Sequence, residues 1–258
     1  MDFNLEPWQW VFGIAAAVLT GISKTGMPGV GILVVPLLAS AFGGRASVGI
    51  MLPMLIFADL FAVFWYKRHA RWDKLIILFP WVVAGIILGT QALWILGKTQ
   101  INIDIMAKII GALVLIMLTL HLLRDKLDER LTPKSKIGKY ASGIAAGFTT
   151  TISNAAGPVM AIYLAAQNIT KEQFMGTTAW FFFLVNAAKL PIFIWLSIDN
   201  PEKPMITLQT LQFNISVFPA ILVGAFVGKW ILRKISQKLF DNLILILAAV
   251  AAIKLLVS

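Results

Sequence analysis

The chain has 258 residues, of which 59% are hydrophobic and only 13% are charged, and it contains no cysteine. A soluble globular domain carries about a quarter charged residues, so this composition, with a mean hydropathy of +0.85, predicts an integral membrane protein without disulfides or thiolate metal sites. The net charge of +10 does not imply nucleic-acid binding, because multi-pass membrane proteins collect lysine and arginine in their cytoplasmic loops.

The first element, 8–41, is an apolar stretch that is interrupted in its middle. Residues 21–31 read GISKTGMPGVG, and the apolar run on either side is too short to cross a bilayer as a helix. Irregular backbone inside a membrane is tolerated only where protein or a water-filled cavity satisfies its N–H and C=O groups. The sequence therefore predicts a re-entrant or broken helical segment here. Transmembrane helices are predicted to follow at 48–66, 75–97 and 105–123, each close to the length that spans the bilayer core.

A basic, polar linker at 124–139 separates this first half, 1–123, from a second half, 140–258, that repeats it. Residues 13–28 read GIAAAVLTGISKTGMP and residues 143–158 read GIAAGFTTTISNAAGP, an ungapped match 130 positions later in which eight of sixteen residues are identical. The second half is predicted to contain a broken segment at 140–167 and transmembrane helices at 174–198, 207–228 and 239–257.

Basic residues concentrate in three loops, 67–74, 124–139 and 229–238, which the positive-inside rule places in the cytoplasm. That placement requires the second broken segment to return to the side from which it enters, because a full crossing would put loop 229–238 outside. Each half then has one re-entrant segment and three crossings, and the second half is inserted upside down. The predicted fold is an all-α integral membrane protein of two inverted-topology repeats in the cell membrane.

The two breaks carry the chemistry of the predicted site. Free N–H groups and positive dipole ends of half-helices favour an anion, and Lys24 adds a full positive charge. Substrate sites of inverted-repeat transporters commonly lie near the midplane where broken helices meet. A helix kink without a ligand is the alternative, and a nucleotide-binding P-loop is excluded because Ser23 stands where that motif requires glycine. The predicted substrate-binding residues of the breaks are Ser23, Lys24, Thr25, Gly26, Ser153, Asn154 and Ala155.

Two further ionisable residues, Asp59 and Lys189, lie in the middle of predicted helices and are also 130 positions apart. Buried charges need partners, so one interpretation is a structural ion pair between them that holds the two halves together. In the other, Lys189 is a second substrate ligand with Asn186, which lies one turn earlier on the same helix face. Asp59 would then be a proton-coupling carboxylate or the counter-charge of the empty site.

The broken segments GISKTGMPGVGILVVPLLA and GFTTTISNAAGPVMAIYLAA, together with NAAK at 186–189, resemble those of the sulfite exporter TauE/SafE family of membrane transporters. The resemblance implies transport of a small anion, typically sulfite or an organosulfonate such as sulfoacetate, across the bacterial cytoplasmic membrane. It also implies that the two breaks and the pair of Asn186 and Lys189 contact the substrate.

We therefore predict a secondary transporter for a small anion that works by alternating access, with no cofactor and no metal, and with H⁺ or Na⁺ as its coupling ion. An anion channel of the same architecture and a membrane assembly protein that transports nothing are the alternatives. No pair of carboxylates, HExxH motif or serine–histidine arrangement supports an enzyme. The expected partners are the lipid bilayer and the anionic substrate, and the sequence leaves open whether the protein forms a homodimer.

Overall fold

A computed structural model of the chain describes residues 5–26, 30–98, 105–127, 136–167 and 169–231, together with six helical residues between 246 and 257. The described part contains no strand and is almost entirely α-helical. Its helices are α1 Pro7–Thr25, α2 Gly31–Phe42, α3 Gly44–Tyr66, α4 Trp72–Lys98, α5 Ile105–Leu127, α6 Lys136–Ser153, α7 Gly157–Ala165, α8 Lys171–Asp199 and α9 Leu208–Ile231.

Four of these helices, α3, α4, α8 and α9, are long and apolar enough to cross a membrane. They correspond to the predicted helices 48–66, 75–97, 174–198 and 207–228, with ends that differ by at most four residues. The structure thus confirms a helical protein with several candidate membrane spans, as the long apolar runs of the sequence predict.

The remaining predicted elements are described in part. Helix α5 covers the predicted 105–123 and continues to Leu127, while α6 already begins at Lys136, so both ends of the predicted linker are helical. The middle of that linker, and most of the predicted helix 239–257, lie outside the described residues.

Helices α1 and α2 form a hairpin across the first break. Gln9 near the start of α1 donates from Nε2 to the carbonyl oxygen of Ala41, near the end of α2, at 2.7 Å. The first residue of α2 is Gly31, and a Cβ atom there would lie 2.9 Å from the Ser23 hydroxyl oxygen, so the start of α2 lies close to the last turn of α1. The chain therefore enters and leaves this hairpin at the same end.

Helices α6 and α7 form the equivalent hairpin across the second break. Near the start of α6, the Tyr140 ring stacks on Trp81 of α4 at a centroid distance of 4.1 Å. In α7, the Tyr163 hydroxyl donates to the carbonyl oxygen of Lys74, in the first turn of α4, at 2.9 Å. Both ends of this hairpin thus lie near the beginning of α4. Pro158 occupies the first turn of α7, where a missing N–H is tolerated, whereas Pro28 lies outside the described residues.

Glycines bring helices of the two halves into backbone contact. Helix α1 packs along α9, where a Cβ on Gly21 would lie 2.6 Å from the Ala225 nitrogen. Helix α4 packs along α6 in the same way, where a Cβ on Gly147 would lie 2.9 Å from the Ile86 nitrogen. In both pairs residue numbers rise together along the contact, so the paired helices run parallel.

Helices α3 and α8 pack against each other in the centre and run antiparallel. Asp59 contacts Asn186, whereas further along α3 the carbonyl of Tyr66 packs on Gly176. The bundle therefore has two ends. We call the end where α3 finishes and α8 begins the Lys67 end, and the end where α3 begins and α8 finishes the Asp199 end.

Polar contacts hold the helices together at the Asp199 end. The Trp94 indole donates to Asp199 Oδ2 at 2.8 Å, and Asn200 Nδ2 donates to the carbonyl oxygen of Gly97 at 2.7 Å. Arg45 donates to the carbonyl oxygens of Leu93 and Lys203. These contacts tie the beginning of α3 to the ends of α4 and α8.

Candidate functional site

The two breaks face a cavity of about 70 Å³ between α3 and α8. A water molecule needs roughly 10–15 Å³ of cavity volume, so the space is sufficient for a small ion with some of its water. The polar residues that line it are Ser23, Lys24, Asp59, Thr150, Asn154, Thr178 and Asn186, and the apolar ones include Met51, Leu55, Phe174, Met175 and Phe182.

Lys24 and Asp59 form an ion pair in the wall of this cavity. Lys24 lies in the last turn of α1, and its Nζ is 2.7 Å from Asp59 Oδ1. The other carboxylate oxygen of Asp59 accepts a hydrogen bond from Asn186 Nδ2, also at 2.7 Å. Asp59 is fully buried, whereas 12% of the Lys24 side chain is exposed. The Lys24 ammonium also lies 4.1 Å from the centroid of the Phe182 ring, close enough for a cation–π contact.

Lys189 has a different environment behind the second break. Its Nζ donates to the carbonyl oxygen of Thr150 at 2.8 Å, to the Thr150 hydroxyl oxygen at 3.0 Å and to Asn154 Oδ1 at 2.7 Å. Three acceptors match the three N–H donors of an ammonium group. The side chain is fully buried and does not line the cavity.

Helices α2 and α7 begin at the cavity. Gly31 and Ile32 of α2 and Gly157 and Pro158 of α7 are among its lining residues. The first N–H groups of a helix have no partner within the helix, and its N-terminus carries a partial positive charge. Two such ends directed at one cavity favour a negatively charged ligand.

The charged groups of this buried centre do not balance. Among the described residues, the fully buried charged side chains are Asp59 and Lys189, and Lys24 joins them through its ion pair. In their usual charge states, two ammonium groups and one carboxylate give a net charge of +1. The three oxygens around Lys189 and the C-terminal end of α6 offset one of these charges, so Lys24 is the cation that an anion in the cavity can reach.

The structure brings some of the predicted site residues together at the cavity and places others behind it. Thr25 donates from its hydroxyl to the carbonyl oxygens of Gly21 and Ala225, and the Ser153 hydroxyl donates to the carbonyl oxygen of Thr149. Their role as substrate ligands stays a prediction. Those that line the cavity are Ser23, Lys24, Asp59, Asn154, Ala155 and Asn186; those that do not are Thr25, Gly26, Ser153 and Lys189.

The ion pair differs from the one that the sequence suggests. One interpretation of the sequence pairs Asp59 with Lys189, but in the structure the partner of Asp59 is Lys24. The reason is that each buried helix residue faces the break of its own half. Asp59 meets Lys24 and Lys189 meets Asn154, and the second pair lies 130 positions after the first.

Thr150, Thr178 and Phe182 line the cavity but are not among the residues that the sequence singles out. Each lies one or two helical turns before a residue that is singled out, Asn154 or Asn186, on the same helix face. A four-residue spacing counted back from those two asparagines would have found all three. No group of three or more potential metal ligands occurs within the described part of the chain.

Comparison with known proteins identifies the family. The family model described as sulfite exporter TauE/SafE matches residues 12–255, which include both breaks and the buried centre. No match was found among curated proteins or among solved structures. Because the family match covers almost the whole chain, the protein belongs to the sulfite exporter TauE/SafE family of membrane transporters.

Proposed function

We propose that this protein is a secondary transporter for a small anion, sulfite or an organosulfonate, and that Lys24 is the residue that binds the anion. The observation that carries the proposal is the Lys24 ammonium in the wall of a cavity at which the helices α2 and α7 begin. An anion there would meet the charge of Lys24 and the partial positive charges of the two helix N-termini, which is the electrostatic complement that a carrier for anions needs.

The donors that remain available favour Lys24 over Lys189. Within the described residues, Asp59 is the one oxygen partner of the Lys24 ammonium, so two of its three N–H donors have no oxygen to bind. All three donors of Lys189 are used by Thr150 and Asn154. An anion in the cavity would therefore contact Lys24, with the N-termini of α2 and α7 on its other sides.

Two inverted-topology repeats are consistent with the helix contacts. Helices α1 and α6 are the repeat-related broken helices, and each packs parallel to a helix of the other half, α9 or α4. Helices α3 and α8 are also repeat-related and pack antiparallel. Reciprocal parallel pairs around one antiparallel pair are what a two-fold axis in the membrane plane would generate.

The position of the cavity favours alternating access over an open channel. Its lining residues on α8 run from Phe174 to Asn186, towards the Lys67 end. Past Asn186 the inward-facing residues Lys189, Phe193 and Leu196 are buried, and polar contacts join the helices at the Asp199 end. If loop 67–74 is cytoplasmic, the structure corresponds to an inward-facing state. In a proton-coupled mechanism, Asp59 would be the group that binds the proton.

The test is the thermal stability of the detergent-purified protein in sulfite or methanesulfonate. A ligand that binds only the folded state stabilises it by roughly 2.7 kcal/mol at a hundred times its dissociation constant. Stabilisation should be lost in Lys24→Met. Lys67→Met removes a lysine from the exposed turn after α3 and is the matched control, which should respond like the wild type. If neither anion stabilises the wild type, or if Lys24→Met responds like the control, the proposal fails.

A further inference from the structure

We infer that Lys189 is a positioning residue, which fixes the shape of the second break and acts on the substrate through Asn154 without touching it. The inference rests on the proposed function, because it assigns the two buried lysines of the same site to different tasks. It also goes against the expectation, drawn from the sequence, that Lys189 is a second substrate ligand.

The contacts of Lys189 leave no donor for an anion. Its three N–H groups are directed at two oxygens of Thr150 and at Asn154 Oδ1, at 2.7–3.0 Å. An anion could bind Lys189 only by displacing one of these oxygens, which would then be buried without a partner. The side chain also lies outside the cavity wall, which Asn154 and Thr150 provide.

The residues that Lys189 holds are those at which α6 ends. Asn154 has a left-handed backbone with a φ of 55°, and its N–H donates to the carbonyl oxygen of Thr150, as in a helix C-terminal cap. The Lys189 ammonium binds the same carbonyl oxygen, so a positive charge sits at the negative end of the α6 dipole. The charge of Lys189 thus already has a structural use.

Asn154 passes this constraint to the substrate side. While its Oδ1 accepts from Lys189, its Nδ2 donates to the carbonyl oxygen of Val48 in α3 at 3.0 Å. The amide therefore joins α8, the second break and α3, the elements that enclose the cavity. Without Lys189 the amide would lose the partner that sets its orientation, and the second break would lose its contacts with α8.

The repeat relation explains why the two lysines differ. Lys24 and Asn154 occupy equivalent positions in the breaks, and Asp59 and Lys189 occupy equivalent positions in the buried helices. In the first half the cation is on the break and faces the cavity. In the second half the cation is on the helix behind the break, and a neutral amide faces the cavity. Lys24 and Lys189 should therefore respond differently to the same substitution.

A double-mutant cycle on anion affinity tests the inference. The affinity is measured as the concentration dependence of stabilisation by methanesulfonate. Lys189→Met should weaken binding of the anion about tenfold in the wild-type background. A tenfold change is about the size of the free energy that one hydrogen bond to a charged group contributes. In the background of Asn154→Gly, which keeps the left-handed backbone accessible, Lys189→Met should weaken it by less than about threefold. The same loss in both backgrounds would show direct contact with the anion and overturn the inference.

Lys189→Gln provides a second variant in case Lys189→Met does not fold. Glutamine keeps N–H donors for Thr150 and Asn154 but has no charge, so affinity should stay within about threefold of the wild type. Lys24→Gln should weaken binding at least tenfold, because there the charge itself meets the anion. Equal losses in the two glutamine variants would overturn the positioning role. A wild type that does not bind methanesulfonate or sulfite would instead overturn the proposed function.

Discussion

Replacement of Asp59 by asparagine should destabilise the empty protein and strengthen anion binding. The carboxylate is fully buried and its Oδ1 is 2.7 Å from the Lys24 ammonium, so a bound anion competes with it for the same cation. Asp59→Asn removes the competitor but keeps the size of the side chain and an oxygen that can still accept from Asn186. The charge of the buried centre would change from +1 to +2.

The magnitude follows from the burial of the pair. Removing one partner of a buried ion pair costs about 3–5 kcal/mol, and the partial exposure of Lys24 places the cost near the lower value. The anion then no longer competes with a carboxylate for the Lys24 ammonium, and an interaction of this kind with a charged group is worth about 1.5–3 kcal/mol. Since about 1.4 kcal/mol corresponds to a factor of ten in affinity, methanesulfonate should bind at least tenfold more tightly to Asp59→Asn than to the wild type.

The assay is thermal unfolding in detergent during a titration with methanesulfonate, in a buffer without other small anions. Asp73→Asn is the matched control, because Asp73 pairs with Arg71 and Lys74 at an exposed position away from the cavity. The double variant Asp59→Asn with Lys24→Met should regain part of the lost stability and should not respond to the anion. If methanesulfonate stabilises Asp59→Asn no more than the wild type, Asp59 does not compete for Lys24 and this reasoning is refuted.

Three further predictions concern access and packing. Because the chain has no cysteine, Thr178→Cys in the cavity wall should react with a membrane-impermeant thiol reagent added on the side of the Lys67 end, and more slowly with anion bound. The buried Phe193→Cys should not react, and equal labelling of both would contradict a cavity that opens towards the Lys67 end. Asp199→Asn weakens the contacts to Trp94 and Lys98, so stability should change by less than about 1 kcal/mol, while labelling of Phe193→Cys from the side of the Asp199 end should rise. No rise would mean that these contacts do not close the Asp199 end. Gly147→Val should lower the free energy of unfolding by about 1–3 kcal/mol or prevent folding, because its side chain would meet the α4 backbone. The control Ala188→Val lies on an exposed face, and its free energy of unfolding should stay within about 0.5 kcal/mol of the wild type; similar values for both variants would contradict the close packing.

The helices and their interruptions could be predicted because their causes are local. An apolar run of about 20 residues suits a bilayer wherever it stands in the chain, and α3, α4, α8 and α9 follow these runs closely. The breaks were predictable because glycine and proline interrupt short apolar runs, and the structure ends α1 at Thr25 and α6 at Ser153. The exact helix ends do not follow from the apolar runs, because a polar cap can extend a helix beyond its run. Helix α8 begins at Lys171, three residues before the predicted start, where Thr170 and Gln173 form a capping box.

The pairing of the buried charges could not be predicted, because it depends on which faces of packed helices meet. The spacing of 130 residues singles out Asp59 and Lys189, which are both buried, but it does not say whether they meet each other or the breaks. In the structure the break residue of each half reaches the buried helix of that half, so Lys24 meets Asp59 and Asn154 meets Lys189. That choice is set by the hairpin geometry, which brings the last turns of α1 and α6 against the central pair of α3 and α8.

The imbalance between these two pairs explains how a carrier could couple anion binding to movement. The first pair, Lys24 with Asp59, is neutral, whereas the second pair, Asn154 with Lys189, carries the excess charge on a side chain whose donors are all used. The charge of Lys189 is offset within the protein by three acceptor oxygens and by the C-terminal end of α6, so Lys24 is the cation that an anion in the cavity can reach. A bound anion would compete with Asp59 for Lys24 and so weaken the contact between α1 and α3. If the two repeats move against each other around this centre, the weakening of that contact is the step by which anion binding would permit the movement.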